Sequence, residues 1–107
     1  EKPVLKKCLF LENVMQFENM EELREEIDLL DNELLSLFAK RFKFIEDAAL
    51  IKNNINEIRD NARIEKIVSR VRDLAKTNNL SEDIIEELWR FIIELSIKHE
   101  KQMFIDK

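Results

Sequence analysis

Arg41 and Lys52 stand where an apolar stripe should be, and the chemistry they offer is the capture of an anion. From Leu23, the positions Leu23, Ile27, Leu30, Leu34, Leu37, Arg41, Ile45, Ala48 and Lys52 recur in steps of three and four, which keeps them on one face of an α-helix. Every member is apolar except the two cations. A charge turned inward is costly unless paired, so a guanidinium and an ammonium on this face call for a resident anion or a carboxylate partner. Snorkelling, or a carboxylate in the core, would satisfy either one without a ligand. Two on one stripe, about 16 Å apart along the axis, can instead reach toward each other and grip a small molecule. Farther along, Ser96 and Glu100, spaced i and i+4, replace apolar residues at the end of the stripe Ile85, Leu88, Trp89, Ile92. A frayed, solvent-facing helix end is the plainer account of that pair. Arg24 lies about 26 Å before Arg41, too far to join its grip from the same helix, so it could join only from another subunit. Several cations with one hydroxyl and one carboxyl, and with no nucleophile–base pair or glycine loop, suit a small polyanion that reacts without covalent help.

Composition narrows the scaffold. The 107 residues, 45% hydrophobic and 38% charged, fit one domain with a moderate core, more so if the core is shared with a second subunit. Glycine and tyrosine are absent and Pro3 is the single proline, so tight hairpins and phosphate-cradling loops lack their usual residues. The expected class is all-α. A net charge of −5 argues against nucleic acid or an anionic membrane as partner, and any anion must be held by local cations. Cys8 and His99 are the only residues of their kinds, which disfavours a disulfide, a cysteine-based metal site and a serine–histidine relay; no metal is expected. The run Cys8-Leu9-Phe10-Leu11 stops at Glu12, too short for a signal-peptide core. A cytoplasmic location is expected, with a processed or exported form left open because the sequence starts at Glu1.

The elements follow from breakers and caps. The helical period holds from about Glu21 to the Asn53-Asn54-Ile55-Asn56 stretch, a helix of roughly 33 residues and about 50 Å. That length needs other helices alongside it, and a second copy of the chain supplies them most economically, which predicts an intertwined homodimer. A second helix is expected from Asp60 or Asn61 to Asn78-Asn79, with Ile64, Ile67, Val68, Val71, Leu74 and Ala75 inward. Ser81 is the candidate N-cap of a third, running to about Met103, with Glu82 and Asp83 at the positive end of its dipole. Residues 1–20 are too apolar for a disordered tail yet show no clean period, and are read as an extension of unknown role before a helical domain over 21–107.

Taken together these segments resemble the all-helical (type II) chorismate mutases. Leu23-Arg24-Glu25-Glu26-Ile27-Asp28 with Leu30-Asp31 looks like that family's opening, and Leu34-Leu35-Ser36-Leu37-Phe38-Ala39-Lys40-Arg41 like the segment with its second arginine. Ile51-Lys52, Arg59-Asp60-Asn61-Ala62-Arg63 and Ile92 through Glu100 follow in the same order. The resemblance implies an intertwined dimer of three-helix chains with two sites, each taking an arginine from the partner's first helix. It also implies a cofactor-free Claisen rearrangement of chorismate to prephenate, on the route to phenylalanine and tyrosine. By that resemblance the partner's Arg24 and Arg41 would pair with the two carboxylates, and Lys52 would reach a carboxylate and the ether oxygen. Glu100 would hydrogen-bond the same oxygen, while Asp60, Arg63 and Ser96 would complete the wall. The catalytic set is then Arg41, Lys52 and Glu100.

Two positions depart from the pattern. Ile64 stands where the family often has a glutamate that accepts from the ring hydroxyl, and Glu100 where many bacterial members have glutamine. The related isochorismate-pyruvate lyases of salicylate biosynthesis also tend to be apolar at the former place, and Phe42 through Ala49 has some of their character, so a lyase is the alternative enzyme. A non-catalytic dimerisation or regulatory module is the alternative of another class. Ligand-free bundles, however, have no reason to turn Arg41 and Lys52 inward.

Overall fold

The computed structural model describes residues 16–107, and all regular structure in that range is helical. Three α-helices carry it: α1 (Met20–Ile51), α2 (Asn61–Thr77) and α3 (Glu82–Asp106), with a 3-10 turn at Ile55–Glu57 between α1 and α2. Residues 1–15 of the expected extension lie outside the described residues. The chain divides within α1 into residues 1–38 and residues 39–107.

In the first unit, Asn19 caps the start of α1 by accepting from the Glu22 amide at 2.9 Å, and Glu21 and Glu22 place acid where the helix dipole is positive. The stripe continues through Ile27, Leu30, Leu34 and Leu37, all of which are exposed. At 32 residues α1 is about 48 Å long.

The second unit holds the core. Ile58, Ile64, Val68, Ile93 and Ile97 form its buried centre, with Ile67, Trp89 and Phe104 packed against them, and α2 lies against α3. The turn between these helices works without glycine. Asn79 takes a left-handed φ of 59°, and the Leu80 amide donates to Ala75 O at 2.8 Å while the Asn79 amide donates to Lys76 O at 3.2 Å. This is the Schellman arrangement, with asparagine where glycine is usual because its short side chain tolerates that conformation. Ser81 then accepts from the Ile84 amide and α3 begins. Ion pairs at the surface join α2 to α3, Arg72 meeting Glu82, Asp83 and Glu86 and Arg90 meeting Glu65, while Arg90 also pairs with Glu86 within α3. Such pairs fix orientation more than they stabilise.

On α2 and α3, two expected inward residues lie elsewhere. Leu88 on α3 is exposed and lines up with Ile84, Phe91 and Leu95, while Ile93 and Ile97 are buried in its stead. The buried arc of α3 is centred about half a residue step from the Ile85–Ile92 stripe, which leaves Leu88 on its far shoulder. Leu74 on α2 is exposed for the same reason, at the edge of an arc centred on Val68, Val71 and Ala75. On α1 the wholly buried alanine is Ala49, not its stripe neighbour Ala48.

Candidate active site

Residues of all three helices and the 3-10 turn converge on one pocket within the unit 39–107. Arg41, Ile45, Ala48 and Lys52 come from α1 and its end, Glu57 and Ile58 from the turn, Asp60, Arg63, Ile64 and Ile67 from α2 and its cap, and Ile93, Ser96, Ile97 and Glu100 from α3. The space is about 370 Å³, within the range of small-ligand pockets. Its isoleucines give an apolar floor and its charges stand around that floor.

Each charged group can be traced to the element that aims it. Asp60 precedes α2 and spends one carboxylate oxygen on the Arg63 amide at 3.0 Å, so it caps the helix that carries Arg63. Arg41 donates from Nη1 to Ser96 Oγ at 2.6 Å, and Ser96 in turn donates to Ile92 O at 2.8 Å. A buried serine thereby hands one guanidinium edge a fixed seat and leaves the other donors open. Burial first, then the positive charges of Arg63 and Arg70, hold the Arg41 guanidinium below its usual value. An anion entering the pocket would relieve all three.

Lys52 Nζ lies 2.7 Å from Glu100 Oε2, within ion-pair distance. Glu100 is nevertheless 4% exposed, and Oε2 has no aligned hydrogen bond. The two facts differ because the distance is short while the donor sits off the hydrogen-bonding direction. The two groups are therefore close without full hydrogen bonding, and the pair retains capacity for a third group.

Of the residues singled out by sequence, Arg41, Lys52, Asp60, Arg63, Ser96 and Glu100 share this pocket. Arg24 does not line it, and lies on the exposed surface of α1 in the other unit. Sequence reasoning missed Glu57, a pocket carboxylate on the 3-10 turn; nothing in the helical period points to it, although its place three residues before Asp60 offered a hint. Among the described residues no cluster of His, Cys, Asp and Glu is arranged to hold a metal, and no helix is long and apolar enough to cross a membrane.

Comparison with known proteins matches residues 23–101 to the family model for chorismate mutase type II. The chain belongs to the type II chorismate mutase family. It is 36% identical over 86 residues to a chorismate mutase of Methanocaldococcus jannaschii, covering 79% of this chain and 87% of that protein. It is also 37% identical over 82 residues to a bifunctional chorismate mutase/prephenate dehydratase of Buchnera aphidicola (subsp. Schizaphis graminum), and 32% identical over 81 residues to its counterpart in subsp. Acyrthosiphon pisum. Each of those two matches covers 75% of this chain and 21% of the longer protein, so the likeness to them is confined to about a fifth of their length.

Proposed function

We propose that this pocket binds chorismate and rearranges it to prephenate, and that the working form is a homodimer whose sites are completed by Arg24 of the partner subunit. The observation that carries the reading is the set Arg41, Lys52 and Arg63 around an isoleucine floor, with Ser96 and Glu100 opposite. A ring bearing two carboxylates matches a wall of cations over an apolar floor. Family membership across 23–101 supports the same chemistry. In such a rearrangement a C–O bond breaks while a C–C bond forms within one molecule, and negative charge grows on the ether oxygen. Lys52 and Glu100 are the groups to stabilise it. Arg41 and Arg24 of the partner subunit, each gripping a carboxylate, would restrict the substrate to its reactive shape, with Arg63 in the wall around it.

The dimer is supported by two exposed apolar stripes, Ile27, Leu30, Leu34 and Leu37 on α1 and Ile84, Leu88, Phe91 and Leu95 on α3. Contiguous apolar surface of this kind marks a protein interface. Incubation with chorismate and, separately, isochorismate tests the activity: prephenate from the first is the expected product, and salicylate with pyruvate from the second as the dominant reaction would replace the mutase by the lyase.

Glu100 can donate to the ether oxygen only as the acid; the carboxylate would repel the charge developing there. Glu100→Gln places a neutral donor at this position and should therefore stay active on chorismate. A glutamine variant without measurable turnover would remove Glu100 from this role.

Ile64 lines the pocket and cannot accept a hydrogen bond from a ring hydroxyl. Ile64→Glu should lower KM for chorismate if the hydroxyl lies beside it, and an unchanged KM would place the hydroxyl elsewhere.

A further inference from the structure

The C-terminal end of α1 carries Lys52 into the pocket but has no cation of its own in its last turn. The last carbonyls of any helix lack intrahelical partners and form the negative end of its dipole. Here the Lys52 amide still closes onto Ala48 O at 3.0 Å, and the carbonyls beyond it must find donors elsewhere. Ala49 is the sharpest case, being 0% exposed, with no backbone amide reaching its oxygen among the described residues. The donor is Lys107, just past α3: its Nζ lies 2.9 Å from Ala49 O and 2.7 Å from Lys52 O. The same ammonium sits 4.1 Å from the centre of the Phe104 ring, which favours a cation at this spot.

We infer that Lys107 is a positioning residue for the reaction: it clamps the backbone of Lys52 and thereby fixes where the Lys52 ammonium stands in the pocket. Glu100 in the last turns of α3 and Lys107 just past its end take hold of Lys52 at two points, Glu100 at the side chain and Lys107 at the carbonyl. One contact sets the charge and the other sets the hinge from which it extends. Lys107 lies beyond the 23–101 stretch matched by the family model. The inference rests on reading Lys52 as a group that touches substrate.

The test compares Lys107→Met, which keeps the aliphatic stem and loses every donor, with Lys107→Arg, which keeps donors and charge. A displacement of the order of 1 Å at a reacting group can cost up to about 10²-fold. For Lys107→Met a roughly tenfold fall in kcat is expected with KM within about twofold, because the backbone stays nearby and only the alignment is loosened. Lys107→Arg should recover most of the loss. Hydrogen exchange of the Leu50–Asn54 amides, measured on the same proteins, should quicken in the methionine variant and return in the arginine variant. Unchanged exchange in Lys107→Met overturns the clamp whatever the activity, and an unchanged kcat overturns its role in the reaction. Failure of arginine to restore either readout overturns it as well. A parent chain that leaves chorismate untouched while exchange still responds to Lys107 would refute the proposed activity instead, and leave the clamp standing.

Discussion

Lys52→Ala should lower kcat on chorismate by about 10²–10³, the usual cost of removing one preorganised donor from a site where charge develops. The cost belongs mainly to the transition state, since the ether oxygen gains its charge only as the bond breaks. Arg41 and Arg24 of the partner subunit remain to hold the carboxylates, so KM should move less than kcat. Stability needs separate care, because Lys52 is the charge partner of a Glu100 that is almost wholly buried. Stripping one member from a buried pair can cost about 3–5 kcal/mol when the other is trapped ionised. The double variant Lys52→Ala with Glu100→Gln separates the two effects: the neutral amide should recover thermal stability while turnover stays low. A Lys52→Ala protein that turns over near the parental rate would leave the lysine a core ion pair and nothing more.

The sequence was most legible where one residue type has one physical use. Asp60 and Ser81 are caps because short oxygen-bearing side chains satisfy free amides at a helix start, and both do so. Arg41 and Lys52 stood out because charge on an apolar stripe needs a partner, and they face Ser96 and Glu100 in one pocket. The phase of α3 was less legible. Ile92 and Ile93, like Ser96 and Ile97, are adjacent residues that both lie in the buried arc, and a stripe drawn in steps of three and four selects only one of each. Glu57 escaped because a 3-10 turn has no long-range period to reveal it, and only the packing of the turn beside α2 brings it to the pocket rim. Lys107 escaped for a different reason: a lysine after a helix reads as an ordinary solvated end, and its use as a cap depends on where the last carbonyls of another helix fall.

The pocket's electrostatics explain why these residues form a set. Arg41, Lys52 and Arg63 face three carboxylates, of which Asp60 is engaged at a helix start and Glu100 by Lys52. Arg41 gives one donor to Ser96 and keeps the rest, and its nearest electrostatic neighbours are further cations. The fold thus brings several donors together on one pocket, which is what electrostatic stabilisation of a transition state asks of a site.

Arg24→Ala and Arg41→Ala should each be nearly inactive, yet a heterodimer of one chain of each should regain about half the activity of the parent dimer. If every site takes Arg41 from one subunit and Arg24 from the other, the pairing gathers both lesions into one pocket and leaves its companion complete. The geometry behind this is the length of α1. Arg24 precedes Arg41 by about 26 Å along the axis, so no bending of side chains brings both to one ligand from the same helix. Arg24 is exposed on a helix whose apolar stripe is also exposed, as expected of a surface that a second copy covers. The heterodimer is made by refolding the two variants together with distinct affinity tags and retaining only doubly tagged dimers, while each variant refolded alone serves as the inactive reference. Half-activity in the mixed species, with KM close to the parental value, would place Arg24 across the interface. A mixed dimer as inactive as its parents would show that the arginines act in the same chain, an active Arg24→Ala reference would show that Arg24 has no part in the site, and either result would mean abandoning the composite pocket.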